Sequence, residues 1–153
     1  MRTVIGILIL AFSVVLAYIR YYNLNKSLKI NQFFCLLAEK NVKNNLREML
    51  PFSVLFSELY QAHFDECVTL NGSDEVFEYI ESNMQPFYNS SKIISAFKAF
   101  ASSTESELEA CAKALIDETQ AGYESAKDSF QRYGKVSFIL YPSCSAMAML
   151  IML

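Results

Sequence analysis

The chain has 153 residues, enough for one domain of ordinary size, and it is 53% apolar and 19% charged, too oily for a disordered protein and oily even for a soluble one. All sixteen acids and twelve of the thirteen bases lie between Arg20 and Lys135, so the chain is a charged middle with two greasy ends. Four glycines and three prolines are too few for a many-stranded sandwich or barrel, and a single histidine with a net charge of -3 argues against a histidine-rich metal site and a nucleic-acid binder.

Residues 3–19 and 136–153 carry no ionisable group except tyrosine and cysteine, and as helices they would rise about 26 and 27 Å, close to the roughly 30 Å hydrocarbon core of a bilayer. The first runs into Tyr18, Tyr21 and Tyr22, side chains suited to the headgroup level. The second is interrupted by Tyr141-Pro142-Ser143-Cys144-Ser145, so it should insert only beside a partner, with Ser13 and Ala17 of the first facing Ser143 and Ala146 of the second. Arg20, Lys26, Lys29, Lys127, Arg132 and Lys135 flank the middle from within and only Arg2 lies outside, which predicts a cytoplasmic middle. The alternative is a cleaved signal peptide, for which Val15-Leu16-Ala17 offers the small residues, leaving a secreted or surface-anchored helical binding protein.

From residue 24 to 50 the pattern predicts a helix with Leu28, Phe34, Cys35, Ala38, Val42, Leu46 and Met49 on one side and a basic stripe, Lys26, Lys29, Lys40, Lys43 and Arg47, on the other. Phe33, Leu36 and Leu37 interrupt the stripe, which predicts burial from two directions in the middle turns. Leu50-Pro51 ends this helix and Pro51 suits the first position of the next, over residues 51–64. Ser73 is the expected cap of a short helix with Val76, Phe77 and Ile80 inward, and Pro86 the opening of another through Ile93, Ile94, Phe97 and Phe100. After Ser102-Ser103-Thr104-Glu105, with capping-box spacing, one face carries Leu108, Cys111, Ala112, Leu115, Ile116, Thr119, Tyr123, Ala126, Phe130 and Tyr133. The reading is all-α: a helical hairpin or bundle, residues 20–135, held between two terminal membrane helices.

His63, Asp65 and Glu66 form the nearest approach to a metal or acid/base cluster and read as a solvated helix end. Cys35, Cys67, Cys111 and Cys144 have no C-x-x-C spacing, and Cys35 with Cys111 read as small core residues. No phosphate-binding or nucleophile motif is present, so neither an enzyme nor a cofactor is expected.

Several strings in this order resemble the stage III sporulation protein AB family of endospore-forming bacteria: Leu46-Arg47-Glu48-Met49-Leu50-Pro51-Phe52 between two helices, Ile94-Ser95-Ala96-Phe97-Lys98-Ala99-Phe100 before a capped helix, and Tyr133-Gly134-Lys135 at the entry to the C-terminal hydrophobic segment. The resemblance spans nearly the whole chain and is that of a divergent member, with Ala101-Ser102 where a Leu-Gly pair is expected and Ser143 and Ser145 in a glycine-poor tail. It implies a platform subunit of the secretion-like channel between mother cell and forespore, in the mother-cell membrane beside a hexameric ATPase and other channel subunits. Lys40, Lys43 and Arg47, at i, i+3 and i+7, read either as an ordinary solvated face or, with Leu36 and Leu37 beside them, as a docking patch for an acidic surface on the ATPase or a neighbouring subunit.

Overall fold

A computed structural model describes residues 2–47, 50–84 and 90–152, with side chains over 4–44, 50–84 and 91–147. Every regular element among them is helical: α1 (Arg2–Arg47), α2 (Phe52–Phe64), α3 (Ser73–Asn83), α4 (Ser90–Ala101), α5 (Leu108–Ser129), a π-helical turn (Phe130–Gly134) and α6 (Lys135–Met152). The all-α expectation holds. The chain forms two compact units, one of Ser27–Ala126 and one made by the two terminal segments, Met1–Lys26 with Lys127–Leu153.

The Ser27–Ala126 unit is built on aromatic side chains. Phe33 of α1 meets Phe56 and Tyr60 of α2 edge-on, with ring centroids 5.4 and 5.8 Å apart, and also touches Phe64. Phe34, one residue on, turns to Phe97 of α4, and the Cys35 thiol donates to the Thr119 carbonyl of α5 at 3.1 Å. Residues 33 to 35 therefore pack against three different helices, and of the three residues that interrupt the basic stripe Phe33 and Leu37 are buried while Leu36 is exposed. Burying each such phenylalanine stabilises by roughly 1.5–3 kcal/mol, and edge-on pairing adds about 0.5–1.5 kcal/mol. Val76, Phe77 and Ile80 of α3, Ile93 of α4 and Leu115 of α5 complete the core.

The helix ends show where local chemistry stops each element. Asn44 mimics a backbone group at the end of α1, its Nδ2 donating to the Leu50 carbonyl at 2.9 Å while its Oδ1 accepts from the Leu50 N–H at 3.2 Å. Pro51, extended at φ -56° and ψ 138°, is the N-cap of α2 and not its first helical residue, because its carbonyl accepts from the N–H groups of Val54 and Leu55. Asp65 ends α2 in the left-handed region at φ 59°, a conformation that aspartate tolerates. Gly72 caps α3, one residue ahead of the serine expected there, and Ser73 is already helical. The expected opening of α4 at Pro86 lies outside the described residues. Helix α5 begins at Leu108, after a turn in which Thr104 Oγ1 donates to the Glu107 carboxylate at 2.9 Å, whereas Ser102, the expected cap, donates its hydroxyl back to the Lys98 carbonyl of α4.

The terminal unit has the opposite interior. Gly6, Ser13 and Ala17 of α1 and Gly134 and Ser137 of the C-terminal half are its buried positions. The large apolar side chains point outward: Phe12 is 64% exposed and Ile139 69%. Tyr21 lies between Phe130 and Phe138, at 5.5 and 5.3 Å, and Arg20 spans the ring of Tyr133 and donates to the Tyr141 hydroxyl at 3.0 Å. Ser13 and Ala17 are inside as expected, but Ser143 and Ala146 are exposed and Ser137 is the buried serine of the opposite segment. Ser143 and Ala146 lie six and nine residues beyond Ser137, about 120° and 180° away around α6, and so fall off its buried side.

Candidate interfaces

The predicted docking residues lie on the second half of α1, within the Ser27–Ala126 unit. Lys40 and Lys43 are exposed, and Leu36, 40% exposed, lies on the same line at i, i+4 and i+7. Leu37 does not belong to this surface. It has no exposure at all, because it follows Phe33 by one helical turn and enters the core with it. The Arg47 side chain lies outside the described residues.

Several other polar groups of this unit are committed to structure. His63 Nε2 lies 3.1 Å from the Lys29 carbonyl, which requires that nitrogen to donate, and the imidazole rests against Phe64 and Phe33. Glu66 accepts from the Tyr60 hydroxyl at 3.2 Å, and Tyr60 in turn accepts from Tyr79 at 3.1 Å. Burial, and then the bond from Tyr79, push the Tyr60 phenol well above its ordinary range, so this relay stays protonated and ties the loop after α2 to α3. The Cys35 thiol, pushed up to about 11 chiefly by burial, is not an activated nucleophile. No group of three potential metal ligands occurs among the described residues.

The terminal unit offers the second interface. Among the described residues α1 is the one helix long and apolar enough to cross a membrane, and only 17% of its apolar window is buried, unlike the core helix of a soluble domain. Its own polar groups are satisfied locally: Ser13 donates to the Leu10 carbonyl at 2.8 Å, and in α6 Ser137, Ser143 and Ser145 donate to Tyr133, Ile139 and Tyr141. Such bonds within one helix are what a medium without hydrogen-bonding solvent requires, above all around Pro142, which removes one backbone donor from α6.

Three asparagines on α1 are functional candidates that the sequence reading passed over. Asn31, Asn41 and Asn44 are all buried. A 100° wheel places Asn41 and Asn44 with Phe34 and Leu37, and that polar interruption of the core side was the available signal. No protein-family model matches the chain, and comparisons with curated proteins and with solved structures also found no match.

Proposed function

We propose that the protein is a membrane-anchored structural subunit: the terminal segments lie together in the bilayer, with 3–19 and 136–153 as spans, and the Ser27–Ala126 unit stands in the cytoplasm. The observation that carries this reading is the inverted interior of the terminal unit. Small and hydroxylated residues lie inside while Phe12, Ile139 and their neighbours lie outside, an arrangement that is costly in water and ordinary in lipid, where close approach of small residues holds helices together. The ring of Tyr21, Tyr133 and Tyr141 around Arg20 suits the headgroup level. Cleavage after Ala17 would remove Gly6, Ser13 and Ala17 from the pair, which favours the anchored reading over the secreted one.

Within this class, the resemblance to stage III sporulation protein AB supports a platform role in the secretion-like channel between mother cell and forespore. The helical unit would transmit the motion of an associated hexameric ATPase to the membrane complex, with no reaction of its own. Lys40 and Lys43, with Arg47 and Leu36, form the docking patch in this reading. Reversing the three charges to glutamate should leave membrane insertion intact and abolish co-purification with the ATPase. Salt-insensitive co-purification of the triple variant would return these residues to an ordinary solvated face.

A further inference from the structure

The terminal unit, Met1–Lys26 with Lys127–Leu153, is unbalanced in charge: its bases are Arg2, Arg20, Lys26, Lys127, Arg132 and Lys135, and Asp128 is its one acid. That acid is already engaged, since its carboxylate holds Arg132 at 2.7 Å, the one ion pair among the described residues. The next acids along the chain, Glu39 and Glu124, belong to the other unit, where both act on the Cys35 thiol. Arg20 therefore has no carboxylate partner among the described residues, yet its side chain is held in place. Its guanidinium carbon lies 5.7 Å from the centre of the Tyr133 ring, and one terminal nitrogen donates to the Tyr141 hydroxyl at 3.0 Å. A guanidinium carries five N–H donors in a planar fork, and the bond to Tyr141 uses one of them. Tyr141 accepts in that bond, so its own hydroxyl proton is available to a ligand. Arg20, Tyr133 and Lys135 are all exposed.

We propose that Arg20, with the Tyr141 hydroxyl and the Tyr133 ring, binds the phosphate of an anionic phospholipid headgroup. The groups on offer are donors, and a phosphate diester is acceptor-only, with two oxygens that a guanidinium fork can take side by side. Arginine suits such a site better than lysine, because its donors keep a fixed planar geometry. The contacts to Tyr133 and Tyr141 set that geometry before a ligand arrives, so less side-chain freedom is lost on binding. A guanidinium at the edge of a hydrocarbon phase is costly without a counter-ion, and the protein supplies none here among the described residues. The surplus of bases selects the headgroup: one that carries its own ammonium is repelled, whereas one with a net negative charge is attracted. Arg20 follows residues 3–19 and Lys135 precedes 136–153, so the anchored reading sets both at the boundary where headgroup phosphates lie. The inference deepens that reading and rests on it for the source of the phosphate.

The full chain, purified in a neutral detergent, is titrated with phosphatidylglycerol or phosphatidylcholine of the same acyl chains, and bound lipid is counted by native mass spectrometry. Phosphatidylglycerol should bind saturably and at least about tenfold more tightly than phosphatidylcholine, the scale of one charge-assisted hydrogen bond. Arg20→Lys keeps the charge without the fork and should weaken phosphatidylglycerol about tenfold, and Arg20→Gln should remove the preference. Tyr141→Phe, which deletes a donor and loosens the guanidinium, should weaken it about fivefold with the melt unchanged. Lys29→Gln, an equal loss of charge outside this unit, should leave the affinity as it is. Equal affinity for the two lipids, affinity untouched by Arg20→Lys and Tyr141→Phe, or equal losses in Lys29→Gln and Arg20→Gln, the mark of diffuse attraction, would overturn the site. Displacement of the bound lipid by inorganic phosphate at constant ionic strength would assign the fork to a soluble phosphate and overturn the lipid source. Flotation of the full chain with neutral phosphatidylcholine vesicles reports on anchoring separately. A chain that floats and lacks the preference loses only the headgroup site; a chain that does not float loses the anchored reading and the site with it.

Discussion

The two units of this chain draw on the same helix, α1, and pack it by opposite rules. Before Lys26 its buried residues are Gly6, Ser13 and Ala17, and its phenylalanine and leucines point outward; after Ser27 its buried residues are Phe33, Phe34 and Leu37, and its lysines point outward. In water the hydrophobic effect drives large apolar groups inside, whereas in lipid large groups gain nothing by burial and small ones let backbones approach. One helix that carries both codes in succession is what a chain crossing from lipid into water would need. Amino-acid hydrophobicity alone therefore does not identify a core, because the medium decides which side of a helix is the interior.

Truncating the same residue type in each unit separates the two rules. Phe33→Ala, in the centre of the aromatic core, should lower the stability of the full chain in detergent by about 3–5 kcal/mol, whereas Phe12→Ala on the outer face of the terminal unit should leave the melt unchanged. Equal losses would mean that Phe12 is also part of a water-driven core. The reverse substitution should hurt only the terminal unit: Ala17→Leu overfills a position with no exposure and should cost about 1–3 kcal/mol of helix pairing, measured by disulfide trapping between cysteines placed in α1 and α6. Unchanged trapping would show that small residues do not hold the pair.

The smallest expected effect is at Asn31. Its side chain is fully buried, its Nδ2 donates to the Ser27 carbonyl at 2.8 Å, and its Oδ1 has no partner. Asn31→Leu should change stability by less than about 1 kcal/mol, because removing an unsatisfied acceptor offsets the lost hydrogen bond. A loss as large as that of Phe33→Ala would indicate a buried water or a partner group on Oδ1.

The sequence made the helical segments legible wherever the period stayed α-helical. Leu115, Thr119 and Ala126 are buried on the face predicted for the long helix, and Gly122, absent from that prediction, lies there too, because glycine carries no side chain for a hydrophobic pattern to register. Past Ser129 the reading lost its phase: Tyr133, assigned to the inner face, is 48% exposed, since nothing in Phe130-Gln131-Arg132-Tyr133-Gly134 announces a π turn. Of the proposed docking patch, the exposure of Lys40 and Lys43 was legible in the sequence and that of its apolar neighbours was not. Leu36 and Leu37 differ by one residue and read alike on a half-basic helix, but only the folded core shows that Leu37 turns inward with Phe33. Asn41 left only a faint trace in the sequence, a polar interruption on the core side of α1, because polar side chains default to the surface in a pattern argument.

The central claim is that the terminal pair sits in a membrane with the Ser27–Ala126 unit on its cytoplasmic side, and Cys67 reports on it directly. Cys67 is exposed, lies in the loop after α2, and is free. A membrane-impermeant maleimide applied to intact cells, with modified sites located by peptide mapping, should leave Cys67 unlabelled, and the same reagent should label it fully after lysis. Labelling of Cys67 in intact cells, or recovery of a soluble chain whose N-terminus begins after Ala17, would contradict the account.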